Sequence, residues 1–238
     1  MRKPEVNYRE LRLSRLNTPE YAHIWLLSGW VFYLLFYFLT ERLIPLEACH
    51  LIHTRLDDLI PFNEYFAVFY ISWYFYLVGT LLWFFIYDVD SFRKLQIYII
   101  VTQVVAIAVY ILYPSVQDLR PETFPRQNLF SAAMGLIYAA DTPSGVCPSL
   151  HVAYSLGIAS AWLKAPRTSR LWKAFMVFMA VMISLSVAFV KQHSTMDIFT
   201  ALPLCFLAEM LAYGPKGNGG PLTRLLFPHG KSRYETAV

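Results

Sequence analysis

The composition of this 238-residue chain excludes an ordinary soluble domain, because 57% of the residues are hydrophobic and only 15% are charged. The formal net charge of +4 is explained by basic flanks and does not indicate a nucleic-acid-binding surface. The three cysteines are isolated in the sequence and follow no metal-binding spacing. The composition therefore predicts a membrane protein, and we expect no metal or other cofactor.

Six apolar blocks, taken in chain order, predict an all-α, polytopic bundle of six transmembrane helices. A hydrocarbon core of about 30 Å needs roughly 20 helical residues. Four blocks approach that length, at 24–39, 65–87, 95–112 and 174–190. Two shorter blocks, 152–163 and 198–213, each follow a polar motif that contains histidine. The first covers only about 18 Å, so it either extends through snorkelling flanks or begins inside a polar cavity.

The blocks divide the chain into three parts. Residues 24–213 are predicted to form the membrane domain that carries the chemistry, and residues 1–23 a basic cytoplasmic arm. The arm either lies on the membrane surface as a short amphipathic helix or is a solvated flank. No cleavable signal peptide is expected, so the first block is interpreted as a permanent anchor. Residues 214–238 are rich in Gly, Pro and Lys, which is typical of a disordered tail.

The distribution of positive charge predicts the orientation, because Lys and Arg accumulate on the cytoplasmic side of short loops. Of the 20 Lys and Arg residues, fifteen fall in the arm, the second and fourth connections and the tail. The other five fall in the first, third and fifth connections: Arg42, Arg55, Arg120, Arg126 and Lys191. We therefore expect a multi-pass protein of the cell membrane, with cytoplasmic termini and with these three connections on the outer side.

The residues able to carry chemistry are concentrated in the third and fifth connections. The third ends in Pro148-Ser149-Leu150-His151, and the fifth reads Lys191-Gln192-His193-Ser194-Thr195-Met196-Asp197. The distribution of charge is a separate feature from these motifs, and it predicts both connections on one side of the membrane. Their side chains can therefore converge on one outward-facing site.

Such a cluster suits a phosphate ester, which needs a nucleophile, an acid for the leaving oxygen and donors for the phosphate oxygens. His193 and Asp197 are four residues apart, so the carboxylate can keep one ring nitrogen protonated and leave the other as nucleophile. His151 is the candidate general acid. Ser149 offers a hydroxyl beside the free N–H groups of a helix N-terminus, which attract anions.

Two cations complete the predicted phosphate-binding set. Arg120 offers a bidentate guanidinium and Lys191 a point charge. Simpler roles are also open: Ser149 as a helix cap, Asp197 as an acid favoured by the helix dipole, and Lys191 as an interfacial anchor.

These residues resemble the type 2 phosphatidic acid phosphatase superfamily of lipid phosphatases and their phosphotransferase relatives. The family pattern is Lys, six residues, Arg-Pro; then Pro-Ser-Gly-His; then Ser-Arg, five residues, His, three residues, Asp. The positions that match are Arg120, Pro121, Pro148, Ser149, His151, Ser186, His193 and Asp197, and Leu150 replaces the glycine. The resemblance covers most of residues 24–213. It implies His193 as the nucleophile that becomes phosphorylated, Asp197 as its orienting partner and His151 as the acid.

Two cations of the family pattern are missing. Tyr113 occupies the lysine position, where we still place it in the phosphate-binding set, and Val187 occupies the arginine position. Similar losses occur in the branch that resembles inositol phosphorylceramide and sphingomyelin synthases. The first functional hypothesis is therefore a lipid phosphate phosphatase in contact with membrane lipids, and the second is a head-group phosphotransferase. A non-catalytic scaffold or transporter is the third.

Two further patterns in the outer connections have alternative interpretations. His50, His53 and Asp57 share one face of a helix, which favours either a metal site or an interfacial amphipathic helix. Cys49 and Cys147 are predicted on the same side, so either a disulfide or two free thiols is compatible with the sequence.

Overall fold

The computed structural model describes residues 3–228 and is all-helical apart from two strands of two residues each. The α-helices are α1 (Ser28–Leu43), α2 (Arg55–Leu59), α3 (Ala67–Tyr87), α4 (Val89–Leu112), α5 (Leu129–Ala140), α6 (Leu150–Lys164), α7 (Arg170–Phe189), α8 (Thr195–Ala212) and α9 (Pro221–Leu226). The strands are β1 (His50–Leu51) and β2 (Ser115–Val116). Short 3₁₀ helices occupy Tyr8–Glu10, Leu13–Arg15, Ala22–Leu27, Leu46–Ala48 and Glu64–Phe66.

Within the described residues, five helical segments are long and apolar enough to cross a membrane. They are Ala22–Leu43, Glu64–Tyr87, Val89–Leu112, Arg170–Phe189 and Thr195–Ala212. The class of protein predicted from composition is therefore supported by the fold. α6 falls short of the spanning length because it has only 15 residues.

α6 lies at the centre of the bundle, where it contacts α3, α4, α7 and α8. Its close packing follows from small residues four apart, Ala153, Gly157 and Ala161, all of which are buried. A Cβ added to Gly157 would lie 2.3 Å from the Tyr98 ring of α4. The Tyr98 hydroxyl donates to the carbonyl of Ala153 at 3.1 Å, so the small residues let α4 reach the backbone of α6.

The first, third and fifth connections meet at one end of the bundle. β1 pairs in parallel with β2, and this joins the first connection to the third. The His50 N–H donates to the Pro114 carbonyl and the Ile52 N–H to the Val116 carbonyl, both at 2.8 Å. The fifth connection lies at the same end, where α2 contacts the start of α8 through Asp57 and Ser194. The predicted convergence of these connections is therefore present in the fold.

α5 was not predicted, because residues 113–149 were interpreted as a connecting loop. Twelve apolar residues are too few to span a membrane, so the composition alone did not distinguish α5 from a loop. The helix begins with a capping box, in which Asn128 accepts from the Ser131 N–H at 3.0 Å and the Ser131 hydroxyl lies 2.9 Å from the Asn128 N–H. α5 packs against α3 and forms one side of the site described below.

The arm and the tail also differ from the prediction. The arm folds back on the end of α3: the Glu5 N–H donates to the Ile86 carbonyl at 2.9 Å, and Tyr8 donates to the Phe85 carbonyl at 2.5 Å. The described part of the arm forms two short 3₁₀ helices instead of one amphipathic α-helix, and most of its residues are exposed. In the tail, α9 packs on α8, with the Thr223 hydroxyl 2.6 Å from the Ala212 carbonyl. The prediction of disorder from residue 214 onward is therefore wrong for α9. Three of the positive residues counted above lie outside the described residues: Arg2, Lys231 and Arg233. The rest of residues 229–238 also lies outside them.

Candidate active site

His193 lies between the end of α7 and the start of α8 and is held there by its own backbone. The N–H groups of Gln192 and His193 both donate to the Val187 carbonyl, at 2.9 and 3.1 Å. Lys191 adopts the left-handed conformation, with φ of 52°, that turns the chain out of α7. Ser194 then caps α8 by accepting from the Met196 N–H at 3.2 Å. This tight turn fixes the position of the imidazole, which is 8% exposed.

Asp197 orients the His193 ring, as the four-residue spacing predicted. Its Oδ2 lies 3.1 Å from Nδ1 of His193 and also accepts from the Ser194 N–H at 3.0 Å. Asp197 is fully buried, and its Oδ1 has no hydrogen-bond partner among the described residues. A carboxylate in this position keeps the proton on Nδ1, so Nε2 carries the lone pair.

His151 faces that lone pair from the first turn of α6. Its Nδ1 lies 3.4 Å from Nε2 of His193, and the two rings are close to perpendicular at 64°. Because His193 Nε2 is an acceptor, the contact requires the His151 proton to be on Nδ1. The ring is covered by Tyr70 and Trp73, with centroids 4.8 and 4.3 Å away. The structure thus brings the predicted nucleophile and the predicted acid into contact.

Ser149 links the two histidine-bearing helices. Its N–H donates to the Asp197 carbonyl at 3.1 Å, and its hydroxyl caps α6 by accepting from the Val152 N–H at 3.5 Å. The side chain is fully buried. Its role in the structure is therefore that of a cap that positions His151 next to α8.

Arg120 lies beside the histidine pair, but its guanidinium is bound to the protein. It donates to the carbonyls of Tyr138, Asp141 and Thr142 at 3.3, 2.8 and 3.1 Å, and to the Gln192 side-chain oxygen at 2.7 Å. These contacts fasten the end of α5 to the residue that precedes His193. The Arg120 Nε and the Gln192 Nε2 are both buried without a partner among the described residues.

Lys191 does not point to the histidines as a phosphate-binding cation would. Its ammonium donates to the Asp57 carbonyl at 2.7 Å, and the residue is 8% exposed. Burial lowers the pKa of Lys191, while the negative charges of Asp57 and Asp58 oppose that change. Lys191 therefore binds the fifth connection to α2, which is a structural role that the sequence did not predict.

Asp57, for which the sequence left a metal site and an interfacial amphipathic helix open, binds the start of α8 in the structure. Its carboxylate accepts from the Ser194 hydroxyl at 2.6 Å and the Thr195 N–H at 2.7 Å. It also accepts from the N–H and hydroxyl of Thr54, at 2.8 and 2.9 Å. Burial acts to raise the pKa of Asp57, but these four hydrogen bonds together outweigh burial and lower it. The carboxylate thus stabilises the two residues that directly follow His193.

The remaining outer residues do not join the site. Tyr113 is half exposed and stacks on His50 with ring centroids 4.1 Å apart, and no contact between Tyr113 and the histidine pair occurs in the described structure. His53 pairs with Asp118 at 2.7 Å and with Asp58 at 2.8 Å. Over residues 3–228, no group of three or more metal-binding side chains is arranged around a common point. The residues of the alternative metal site therefore do not converge.

The cysteines are unpaired in the described structure. Cys49 donates to the Pro45 carbonyl at 3.6 Å, while Cys147 lies 3.3 Å from the Thr200 hydroxyl. Of the two alternatives for Cys49 and Cys147, the structure has the two free thiols.

Comparisons with protein-family models, with curated proteins and with solved structures found no match for this chain. The functional argument therefore depends on the geometry of the site. That geometry supplies an imidazole with a directed lone pair, a second imidazole whose N–H faces it, and a buried carboxylate that orients the first. Such an arrangement can attack an electrophile and protonate its leaving group.

Proposed function

We propose that this protein is a membrane-embedded lipid phosphate phosphatase that works through a phosphohistidine intermediate on His193. The observation that carries the proposal is the contact series from Asp197 to His193 Nδ1 and from His193 Nε2 to His151 Nδ1, at 3.1 and 3.4 Å. It fits the sequence pattern that resembles type 2 phosphatidic acid phosphatases, residue for residue, at His151, His193 and Asp197.

In the first step, the lone pair on His193 Nε2 attacks phosphorus and forms a P–N bond. His151 binds a second proton beside the negatively charged phosphate and is then an imidazolium. As the bond between phosphorus and the lipid oxygen breaks, this imidazolium gives its Nδ1 proton to that oxygen and becomes a neutral imidazole. Asp197 stabilises the positive charge that develops on the His193 ring. In the second step, water attacks phosphorus, His151 takes a proton from the water, and inorganic phosphate leaves as the P–N bond breaks.

Substrate binding must separate the two rings. A nitrogen-to-nitrogen distance of 3.4 Å is a direct contact, so a phosphoryl group reaches Nε2 only when the His151 N–H gives up that contact. The N–H is then available to the leaving oxygen. We propose Arg120 Nε and Gln192 Nε2 as donors to the phosphoryl oxygens, because both are buried without a partner among the described residues and Gln192 directly precedes His193.

The environment of the site fits a lipid substrate in a bilayer. Between residues 3 and 228, five segments are long and apolar enough to span a membrane. We propose α6 as the sixth span, since its small-residue face allows full burial inside the bundle. From the split of fifteen positive residues to five, we propose that both termini are cytoplasmic and that the histidine pair is on the outer side of the cell membrane.

A head-group phosphotransferase is the second candidate, and one observation favours it. The two family positions that carry Lys and Arg hold Tyr113 and Val187 here. Val187 is fully buried in an apolar cluster with Val152 and Val190, so no cation lies there. A site with fewer cations and more apolar surface fits an alcohol acceptor such as ceramide better than it fits water.

The test is phosphate release by the purified protein from a panel of a phosphatidate, a polyprenyl diphosphate and a phosphorylated sphingolipid. A phosphatase releases phosphate from at least one of them without a co-substrate. A transferase instead gives a new phosphosphingolipid only when a head-group donor and ceramide are both present. If the protein shows neither phosphate release nor head-group transfer with any combination of these lipids, the proposed catalytic function is contradicted.

The matched variants are His193→Ala and His50→Ala, since His50 lies at the same end but outside the pair. We expect His193→Ala to reduce turnover by at least about a thousandfold. It should also abolish an acid-labile, base-stable ³²P label trapped from a labelled lipid phosphate, whereas His50→Ala should retain both. Normal turnover by His193→Ala would rule out the assigned nucleophile.

A further inference from the structure

A groove of about 690 Å³ lies on the outside of the bundle between α3 and α7. This volume is within the range of about 300–1,000 Å³ that is typical of ligand sites. Its floor is Trp162 of α6, and its walls include Trp83 of α3 and Trp172 and Phe175 of α7. Trp172 and Phe175 are 44% and 46% exposed, so the groove opens to the surroundings of the bundle.

The basic end of the groove is distant from the histidine site, whereas its other end reaches Ser72, next to the Trp73 that covers His151. His151 and Trp162 lie near opposite ends of α6, about 16 Å apart at 1.5 Å per residue. The α3 wall of the groove runs from Ser72 to Trp83, a length of about 16 Å along the helix axis. This length is close to half of a hydrocarbon core of about 30 Å. The groove therefore has the length of an acyl chain in one leaflet, namely the leaflet opposite the histidine pair.

Gly79 keeps the middle of the groove open. A Cβ built at this position meets nothing within 4 Å. The neighbouring Tyr76 is turned inward instead, with its hydroxyl donating to the Met176 carbonyl at 2.8 Å. The α3 wall is thus firmly attached to α7 while a strip of free space remains along Gly79 and Met179.

One end of the groove carries the features that bind an anionic head group. Arg167, Thr168 and Ser169 line this end, and the exposed Arg170 follows directly. Ser169 caps α7, whose first N–H groups have no partner within the helix and attract negative charge. None of the described residues that line the groove is Asp or Glu. Basic pockets between membrane helices on the cytoplasmic side are typical sites for anionic lipid head groups.

We propose that this groove binds one anionic phospholipid of the cytoplasmic leaflet. Its phosphate lies against Arg167, Arg170 and the N-terminus of α7, and one acyl chain lies along Gly79 between Trp83 and Met179. The phosphate of this lipid is at the opposite end of the bundle from His193, so the lipid is a bound ligand and not the substrate.

The test uses the full-length protein in nanodiscs of mixed phosphatidylglycerol and phosphatidylcholine, with native mass spectrometry of the lipids that remain bound. We expect the wild type to retain one phosphatidylglycerol in preference to phosphatidylcholine. Arg167→Gln with Arg170→Gln should reduce that retention about tenfold. Gly79→Leu, whose Cβ meets no other atom within 4 Å, adds a side chain at the groove and should reduce retention of either lipid.

Two matched controls complete the design. Val78→Leu adds bulk at a position that is 58% exposed and outside the groove, and Arg9→Gln with Arg12→Gln removes two charges from the arm. Both should retain the lipid as the wild type does. Equal retention of the two lipids by the wild type would overturn the proposed head-group site. Undiminished retention by Gly79→Leu would overturn the proposed chain site.

Discussion

The two histidines of the candidate site are held in opposite ways. His193 is fixed by polar contacts: Asp197 binds its Nδ1, the Val187 carbonyl binds its N–H, and Asp57 binds the two residues after it. His151 is held by the faces of Tyr70 and Trp73, and its Nε2 is buried without a hydrogen-bond partner among the described residues.

This difference corresponds to two different chemical tasks. Hydrogen bonds are directional, so they fix both the orientation and the tautomer of His193, which a nucleophile needs. Aromatic contacts bury a ring but set its rotation less strictly. His151 can therefore move away from His193 when a phosphoryl group enters, and its Nδ1 proton can then follow the leaving oxygen.

Among the variants that test this difference between the two histidines, we expect His151→Ala to reduce turnover most. It removes the proton donor and leaves the nucleophile in place. Turnover of a lipid phosphate, whose leaving group is a poor alkoxide, should fall by about 10²–10⁴-fold. The rate at which an aryl phosphate phosphorylates His193 should fall much less, because a phenolate needs little protonation. The measurement is kcat/KM for both substrates, which reports the phosphorylation step and not the later attack of water. The ratio of the two values is the internal control for damage to the fold.

An equal loss with both substrates would mean that His151 is not the acid. The phosphohistidine label provides a second measurement. With an aryl phosphate, the label on His193 should still form in His151→Ala and should decay more slowly, because the same imidazole also activates the water.

A smaller loss of turnover is expected from Asp57→Asn. This variant tests whether hydrogen bonds beyond that of Asp197 help to fix the position of His193. An amide cannot accept all four hydrogen bonds that the Asp57 carboxylate accepts from Thr54, Ser194 and Thr195. We expect kcat to fall about tenfold with little change in KM, and the free energy of unfolding to fall by about 1–3 kcal/mol. Asp58→Asn is the control, because the Asp58 side chain is 65% exposed.

The pH dependence of unfolding makes this prediction sharper. The pKa of Asp57 is lowered in the folded protein, so its stabilising effect is present above the ordinary value of 3.8. That effect is lost as the pH falls from 3.8 through the lower folded value. Thermal unfolding of the wild type and Asp57→Asn should therefore differ at neutral pH and converge in acid. A constant difference across this range would show that Asp57 does not act through its charge.

The sequence was informative where the cause of structure is local. Composition and block length predicted most of the membrane helices, and the four-residue spacing predicted the contact between His193 and Asp197. α5 was missed because its twelve residues have no length signal. The order in α9 was missed because it comes from packing on α8, which the composition of the tail does not show.

The site was harder to predict where its contacts join distant parts of the chain. Asp57 and Ser194 are 137 residues apart, so the capping of α8 by α2 has no sequence signature. The sequence predicts that Arg120 and Lys191 bind phosphate, and only coordinates show that their charged groups bind carbonyl oxygens of the protein. Tyr113 was assigned to the phosphate by its place in the family pattern, whereas in the structure its ring stacks on His50.

The smallest effect is expected from removal of metal ions. A metal site in the first connection would need lone pairs from His53 and Asp57. Both ring nitrogens of His53 lie within 2.8 Å of a carboxylate, so both donate, and Asp118 and then Asp58 raise the pKa of the ring. A doubly protonated imidazole has no lone pair for a metal, and the Asp57 oxygens are already occupied. We therefore expect phosphate release to be unchanged in excess EDTA. The opposite outcome has two parts: EDTA abolishes the activity, and a divalent ion restores it in the wild type but not in His53→Gln. That outcome would mean that this cluster rearranges into a metal site.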